Sequence, residues 1–433
     1  MTNPLKSFSA VKDRPYSFFL DSGSGFGELG RRSFFGSDPF LVFKSKRDNV
    51  TLEWPDGKRQ NFKANPFLVL KSLLKKYKAP NENKDQSFTS GAVGYFAYDL
   101  KDFVEDLPYT AADDLGLPDC ILGFYDSVTA CDNLKPAGAP EDIFFGPRPA
   151  EVKSNFSKAS YMRAIEKAKA YIKKGDIYQV NLSQRFEAEL NIEPFELYSR
   201  LRSLSPAPFS SYLDFGDVTV LSSSPERFLL KRGDYIETRP IKGTRPRGED
   251  GFEDSLLAKE LIASAKDRAE HIMIVDLERN DLGRVSRYGS VRPTELFALE
   301  KYANVFHLVS TVAGRLRKDV DPIDCLLATF PGGSVTGAPK IRSMEIIEEL
   351  EPVKRGIYTG AIGYISFDGN MDTSIVIRTF VIKGGKAYFS VGGGIVADSD
   401  PEKEYEETLH KAKGLMGALG YEKTESLAEQ KVC

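Results

Sequence analysis

The chain has 433 residues, of which 41% are hydrophobic and 11% aromatic, enough for a large core. Its 59 Lys and Arg residues balance 62 Asp and Glu residues, which excludes the basic surface typical of nucleic-acid-binding proteins. The four cysteines show no CxxC spacing, and no apolar run reaches the roughly 18 residues that a membrane span needs. We therefore expect a cytoplasmic protein without membrane anchor, structural zinc or disulfide framework.

The first third of the chain is predicted to consist mainly of short strands. Residues 40–43 have the apolar pattern of a strand, and the apolar spacing over 65–78 predicts a helix. A Pro- and Gly-rich stretch at 136–149 is interpreted as a connection across the surface. We accordingly divide the chain into an N-terminal region (1–150) that is part of the same layered fold, a catalytic region (151–420) and a tail (421–433).

From residue 155 onward, predicted helices alternate with hairpins. Strands joined mainly by hairpins, with helices between them, favour an α+β fold with antiparallel sheets. The last helix is expected to begin at Pro401, with Asp400 as its cap. The other predicted helices are 157–173, 254–274, 322–329 and 339–350, and the predicted strands are 178–188, 211–214, 218–221, 228–231, 235–238, 305–313 and a set of hairpins between 360 and 391.

Two pairs of acidic residues have helical spacing. Asp267 and Glu270 lie three residues apart on one predicted helix, and Glu404 and Glu407 have the same spacing on the last one. If the two helices converge, their carboxylates form a site for Mg2+, which prefers oxygen ligands. The alternative is that both pairs lie on solvated helix faces.

Two glycine-rich segments are candidate anion sites. Residues 331–340 read PGGSVTGAPK, where Ala-Pro interrupts the Gly-Lys-Ser/Thr sequence that an ATP-binding P-loop requires. The run VGGG at 391–394 follows a predicted strand. In both segments the bare backbone N–H groups can hold an anion, or the glycines form ordinary tight turns.

Two cationic residues stand in unusual surroundings. Arg378 lies within the apolar strand predicted at 374–382, where its charge needs a carboxylate from the protein or from a ligand. Lys242 is central to the segment TRPIKGTRPRG (238–248), whose prolines and glycines predict an irregular backbone. A lysine amine attacks carbon only when its pKa, ordinarily about 10.4, is lowered by burial or nearby cations. The alternative for this segment is a basic surface loop.

Together these segments resemble the chorismate-utilising enzymes, a family of anthranilate, aminodeoxychorismate, isochorismate and salicylate synthases. The resemblance covers residues 155–415 in order, with weaker matches at FLDS (19–22) and GYFAYD (94–99). The matching segments are DIYQVNLSQRF, SSSPERF, TRPIKGTRPRG, AEHIMIVDLERNDLGR, HLVSTVAGRL, FPGGSVTGAPKIRSMEIIEELEP, YTGAIGYISFDG, TSIVIRTF and VGGGIVADSDPEKEYEETLHKA.

The resemblance implies a fold, a cofactor and a substrate. The family fold is a four-layer αββα sandwich of two orthogonally packed antiparallel sheets flanked by helices. The implied cofactor is Mg2+, with Glu270 and Glu407 as ligands and Asp267 and Glu404 in support through water or the second shell. The residues implied to bind chorismate are Thr336, Tyr358, Arg378, Gly392, Gly393 and Gly394.

The resemblance also assigns the chemistry. Lys242 stands where lysine is typical of aminodeoxychorismate synthase component I, and there it attacks C2 of chorismate as the C4 hydroxyl leaves. Ammonia then adds at C4 and releases the lysine, with Glu226 as general acid or base and His307 near the departing hydroxyl. The enolpyruvyl group stays on the product, and a separate aminodeoxychorismate lyase completes 4-aminobenzoate on the route to folate.

Ammonia is expected to come from a partner. No cysteine lies in a Gly-rich nucleophile segment and only three histidines are present, so we predict a separate glutamine amidotransferase subunit. The alternative function is anthranilate synthase component I, against which Lys242 argues, and an inactive relative is disfavoured because the implied site residues are all present. Some family members hold tryptophan near the position of 20–22, and the resemblance leaves open whether this chain does.

Overall fold

The computed structural model describes residues 4–23, 25–80, 88–133, 151–302 and 305–421. Within these residues the chain forms two large antiparallel sheets covered by helices. The predicted connection at 136–149 lies outside the described residues. Among the helices of the described part, none is long and apolar enough to cross a membrane.

Most helices begin at a side chain that accepts hydrogen bonds from the first turn, as Asn65, Ser157, Asp250 and Asp400 do. The helices of the described residues are α1 (Pro4–Ser9), α2 (Pro66–Lys76), α3 (Lys158–Lys174), α4 (Pro194–Leu204), α5 (Gly251–Ala263), α6 (Ala265–Gly283), α7 (Pro322–Thr329), α8 (Lys340–Leu350) and α9 (Pro401–Ala418).

The strands are short in the N-terminal region and longer around the later hairpins. In chain order they are β1 (Phe18–Asp21), β2 (Arg32–Gly36), β3 (Leu41–Lys46), β4 (Asn49–Glu53), β5 (Arg59–Lys63), β6 (Gly91–Phe96), β7 (Cys120–Tyr125), β8 (Thr129–Asp132), β9 (Val152–Ser154), β10 (Gln179–Glu189), β11 (Phe209–Asp214), β12 (Thr219–Ser224), β13 (Arg227–Arg232), β14 (Tyr235–Arg239), β15 (Ile241–Pro246), β16 (Arg292–Lys301), β17 (Val305–Arg315), β18 (Gly337–Ala338), β19 (Ala361–Ser366), β20 (Met371–Ile375), β21 (Thr379–Lys383) and β22 (Lys386–Ile395).

The strands form two sheets in which every pairing between them is antiparallel. Sheet A has ten strands in the order β18-β10-β22-β21-β12-β11-β1-β2-β8, with β9 on β10. Sheet B has twelve strands in the order β15-β17-β14-β13-β20-β19-β6-β7-β3-β4-β5, with β16 on β17. Strands from the first 132 residues occur in both sheets, beside strands from beyond residue 200.

Three groups of buried side chains fill the spaces between the layers. Between the sheets, Phe18 and Val220 of sheet A pack with Tyr95 and Ile362 of sheet B. Helices α4 and α9 cover the outer face of sheet A, while α2, α6 and α7 cover the outer face of sheet B. The order helix, sheet, sheet, helix confirms the predicted α+β sandwich.

Two of the links by which the chain passes from one sheet to the other are neighbours. The chain leaves sheet A after β12 and enters sheet B at β13, and it returns from β20 to β21. The two links run side by side, because the Ile375 N–H donates to the Glu226 carbonyl (3.0 Å) and the Ser223 N–H donates to the Arg378 carbonyl (3.1 Å). Both links therefore meet at one corner of the sandwich.

Three details of the predicted secondary structure are wrong. The helix predicted at 254–274 is two helices, α5 and α6, separated at Ser264, whose hydroxyl caps α6 by accepting the Asp267 N–H. The strand predicted at 374–382 is interrupted by the link between the sheets, and Arg378 lies in that link with a φ of 52°. The segment 238–248 is not irregular throughout, because β15 pairs with β17 with one register shift. Helix α4 and strand β16 were not predicted.

Candidate active site

Arg378 and His307 meet at the corner of the sandwich. The Arg378 guanidinium donates from Nη2 to Nε2 of His307 (3.1 Å), and Nδ1 of His307 lies 2.9 Å from the Thr244 hydroxyl. Because arginine is only a donor, the imidazole carries its proton on Nδ1. Burial and the adjacent Arg378 cation lower the pKa of His307 well below its usual range, so the ring is neutral at physiological pH.

Lys242 extends from sheet B toward sheet A beside Gly394. A Cβ atom on Gly394 would lie 2.8 Å from the Lys242 Nζ and 2.7 Å from the Gln179 amide nitrogen, so only glycine leaves room for both side chains. Burial lowers the pKa of Lys242, although the carboxylates of Glu270 and Glu407 act in the opposite direction. The fraction of Lys242 that is present as the free amine is thus larger than for an exposed lysine.

Glu226 lies in the link between β12 and β13, facing the same corner. Its carboxylate accepts a hydrogen bond of 2.5 Å from the Ser334 hydroxyl, and its side chain is almost fully buried. Burial raises the pKa of Glu226 to about 7, against the opposing effects of the Ser334 hydrogen bond and of the cations Lys242 and Arg378. A carboxyl with this pKa can both give and take a proton near neutral pH.

The acidic pair of α9 faces the glycine run of β22. Relative to a Cβ position on Gly393, Glu404 Oε2 lies at 3.3 Å and Glu407 Oε1 at 3.7 Å. The Lys411 ammonium lies in the same place, 2.7 Å from Glu407 and donating to the Gly392 carbonyl at 2.9 Å. This cation lowers the pKa of Glu407, which is ionised at neutral pH.

The acidic pair of α6 approaches from the other sheet. Glu270 lies 3.9 Å from Lys266, and Asp267 pairs with Arg245 at 3.1 Å. Glu270 and Glu407 come from different helices, yet both act on Lys242 electrostatically. In the described residues, no three His, Cys, Asp or Glu side chains lie close enough together to form a metal cluster.

The predicted substrate-binding residues differ in what they offer a ligand. Thr336 is fully buried and donates to the Gly332 carbonyl (2.9 Å), so its hydroxyl is engaged within its own loop. The Tyr358 ring lies over the Arg355 guanidinium at 5.8 Å, and burial raises the pKa of its phenol. Gly392, Gly393 and Gly394 pair with β10, but β21 pairs with β22 only as far as Phe389, which leaves one backbone edge of the glycines without a strand partner.

The chain matches the model of a family described as chorismate binding enzyme over residues 17–417. It belongs to the chorismate-binding enzymes. Its relatives are named for two different reactions. The chain is 40% identical to anthranilate synthase component 1 of Acetivibrio thermocellus, covering 97% of this chain and 93% of that one. It is 41% identical to aminodeoxychorismate synthase component 1 of Salmonella typhimurium, covering 95% of each.

A solved structure supports the same family. The crystal structure of anthranilate synthase component I from Streptococcus pneumoniae superposes with a TM-score of 0.78 at 33% identity, covering 89% of this chain and 92% of that one. The protein is therefore a chorismate-utilising enzyme. Because relatives of both names occur near 40% identity, the reaction itself has to be inferred from the site.

The two predicted metal ligands of this chorismate-binding enzyme, Glu270 and Glu407, have the chemistry that a divalent cation requires, although the described residues hold no group of three such side chains already close together. Carboxylate oxygens are the ligands that Mg2+ prefers, and two of them suffice when substrate oxygens and waters complete the shell. The Lys411 ammonium, bound to Glu407 and to the Gly392 carbonyl, is a positive charge already in contact with one of these two acids. Glu270 and Glu407 are the residues that would hold the metal, with Asp267 and Glu404 beside them.

Gln179 is a site residue that the sequence analysis missed. Its side chain is fully buried, and neither its amide nitrogen nor its carbonyl oxygen has a hydrogen-bond partner among the described residues. A buried amide without partners is costly unless a ligand or water satisfies it. The sequence gives little signal for it, because the strand Gln179–Glu189 contains several other polar residues, among them Asn181, Ser183 and Gln184.

Proposed function

We propose that the protein is an aminodeoxychorismate synthase component 1, which replaces the C4 hydroxyl of chorismate by an amino group and keeps the enolpyruvyl group. The observation that carries this proposal is the position of Lys242, whose amine lies inside the corner site with a lowered pKa. A lowered pKa increases the share of the free amine, which is the nucleophilic form of lysine. Relatives with this name at 38% to 41% identity lend support.

In the proposed reaction the free amine of Lys242 bonds to C2 of chorismate while the C4–O bond breaks. Glu226 gives its proton to the departing oxygen, which leaves as water. Ammonia then bonds to C4, the bond between C2 and Lys242 breaks, and the Glu226 carboxylate takes the proton that the new ammonium loses. The enzyme ends with a free Lys242 amine and a protonated Glu226, as it began.

We propose that several groups bind the substrate. In this proposal the Arg378 guanidinium, Tyr358 and the backbone edge of Gly392, Gly393 and Gly394 that β21 leaves unpaired bind a carboxylate of chorismate. Neutral His307, bound to Arg378, fixes the guanidinium and faces the same space. When bound, Mg2+ would bind the ring carboxylate and favour electron flow toward it as the C4 hydroxyl leaves.

Anthranilate synthase component 1 is the second candidate function, because relatives with that name are equally similar. That reaction would release the enolpyruvyl group as pyruvate, whereas the proposed one keeps it. The deciding experiment incubates the purified protein with chorismate, Mg2+ and an ammonium salt at mildly alkaline pH. A product that becomes 4-aminobenzoate only after addition of a lyase supports the proposal, whereas anthranilate with pyruvate contradicts it.

The proposal requires a source of ammonia and a next enzyme. We propose a separate glutamine amidotransferase subunit as the source and a lyase as the consumer of the product. The names of the relatives, component 1 of a synthase, are consistent with a partner subunit. We place the reaction in the cytoplasm, where the free cysteines Cys120, Cys131 and Cys325 would stay reduced.

A cavity beside β1 is the proposed place for tryptophan. It measures about 450 Å³ including its mouth and is lined by Leu20, Ser22, Phe34, Phe209 and Tyr364 among others. Its lining includes Leu20, Asp21 and Ser22, the segment at which the resemblance leaves open whether tryptophan is held. Isothermal titration of the purified protein with tryptophan tests the assignment, and the absence of binding heat, together with no tryptophan released on denaturation, would contradict it.

A further inference from the structure

Glu278 is a buried acid beneath the active site that the proposed reaction does not use. It lies on α6, is 2% exposed, and accepts the Gly333 N–H on Oε1 at 3.1 Å. Its second oxygen, Oε2, is buried and has no hydrogen-bond partner among the described residues. A side chain on Gly333 would collide with Leu277 (2.6 Å) and lie 3.0 Å from Glu278 Oε1, so a glycine is needed for this close contact.

The contact links Glu278 to Glu226 through two consecutive residues. Gly333 is held by Glu278, and the next residue, Ser334, donates its hydroxyl to Glu226 at 2.5 Å. Both residues belong to one short 3-10 turn of the glycine loop. A shift of the Gly333 backbone therefore moves the Ser334 hydroxyl relative to the Glu226 carboxylate.

The surroundings of Glu278 favour its neutral form. Burial raises the pKa of Glu278, and the nearby carboxylates of Asp281 and Glu226 raise it further. The Lys340 ammonium opposes this, but it is bound to Asp281 and to the Thr329 carbonyl (2.8 Å). With its proton on Oε2, Glu278 still accepts the Gly333 N–H on Oε1.

We propose that Glu278 is a positioning residue for Glu226: as a neutral acid it holds the glycine loop so that Ser334 donates to Glu226, without placing a second negative charge beneath the site. The proposal rests on the assignment of Glu226 as the acid–base group of the proposed function. A neutral residue is required because two ionised carboxylates in one buried region disfavour each other.

The test compares two substitutions that differ in hydrogen-bonding capacity. Glu278→Gln keeps a neutral acceptor for the Gly333 N–H, and we expect kcat within about threefold of the parent. Glu278→Leu removes the acceptor, and we expect kcat to fall about tenfold or more with KM for chorismate within about twofold. Because the Ser334 hydrogen bond lowers the pKa of Glu226, its loss in Glu278→Leu should raise the pKa seen in the profile of kcat/KM against pH.

A double-mutant cycle separates positioning from general destabilisation. Ser334→Ala should raise the same pKa, and Glu278→Leu should add little in the Ser334→Ala background, because both changes remove one interaction. The matched control is Glu348→Leu, which removes another buried glutamate that accepts backbone N–H groups, here of Thr110 and Ala111. It should lower stability without moving the pKa. Additive effects of Glu278→Leu and Ser334→Ala, or an unchanged pKa in Glu278→Leu, would overturn the proposal.

A second measurement does not depend on the folding of the leucine variant. Infrared difference spectra between the parent and Glu278→Gln at neutral pH should show the carbonyl stretch of one protonated carboxylic acid, and its absence would overturn the proposal. Activity is followed as chorismate consumption, whichever product forms. Product identity then decides the proposed function, while the pKa shift and the infrared band decide the role of Glu278.

Discussion

Replacement of Glu226 by glutamine is expected to abolish turnover and to change stability in a pH-dependent way. Burial raises the pKa of the folded-state carboxyl from its ordinary value of 4.5 to about 7. The folded state therefore binds this proton more tightly than the unfolded chain does. The resulting stabilisation is fully present below pH 4.5 and is lost as pH rises through 7.

The size of the effect follows from the two pKa values. Their difference corresponds to roughly 3 kcal/mol over the whole range, of which about 2 kcal/mol falls between about pH 5.5 and about pH 8.5. Glutamine is neutral at both pH values and can still accept the hydrogen bond from the Ser334 hydroxyl. Glu226→Gln thus removes the titration while keeping the contact.

Urea unfolding of both proteins at these two pH values measures the effect. The difference in free energy of unfolding between parent and Glu226→Gln should change by about 2 kcal/mol, with the parent relatively more stable at the acid pH. Glu166→Gln, at an exposed position on α3, is the control and should follow the parent at both values. If the free energies of unfolding of Glu226→Gln and the parent differ by the same amount at both pH values, the conclusion that Glu226 is a buried acid with a raised pKa is refuted.

Three further predictions concern the nucleophile and the metal. Lys242→Ala should abolish any covalent adduct detected by intact mass after addition of chorismate, and an adduct that persists would place the nucleophile elsewhere. Glu270→Gln and Glu407→Gln should each raise the Mg2+ concentration for half-maximal activity at least about tenfold, with the exposed Glu406→Gln as control, and unchanged Mg2+ dependence would contradict the converging-acid site. Lys411→Gln should lower that concentration, because the ammonium beside Glu407 competes with the metal, and a higher requirement would contradict this competition.

The elements that could be predicted from the sequence have residues at their ends that mark where they begin and stop. Helix α3 is one example, since Ser157 accepts the Ser160 N–H at its start and Gly175 ends it with a φ of 81°. The break between α5 and α6 lacks a glycine that would end the first helix, and its one local signal is Ser264, which both ends α5 and caps α6. A serine in a polar helical pattern does not distinguish a break from a continuous helix.

The corner of the sandwich was not predictable, because apolar residues continue through it. The apolar pattern of the segment 374–382 does not change between the part that leaves sheet B and the part that enters sheet A. Ile375, Val376 and Phe380 are all buried. The resemblance to the family identified the reactive residues Lys242 and Glu226 from their motifs. The side chains that contact them and shift their pKa values come from distant parts of the chain. Ser334 and Glu278 make their contacts only through tertiary placement, which no local pattern records.

Burial acts in opposite directions on the two groups that the proposed reaction uses. It lowers the pKa of Lys242 and raises that of Glu226, which brings the two pKa values closer together. The carboxylates of Glu270 and Glu407 oppose this for Lys242, because they favour its ammonium form. Any cation that neutralises them, as Lys411 partly does in this structure, favours the free amine. Cation binding by the two acids would therefore be coupled to activation of the proposed nucleophile through the charge of one corner of the fold.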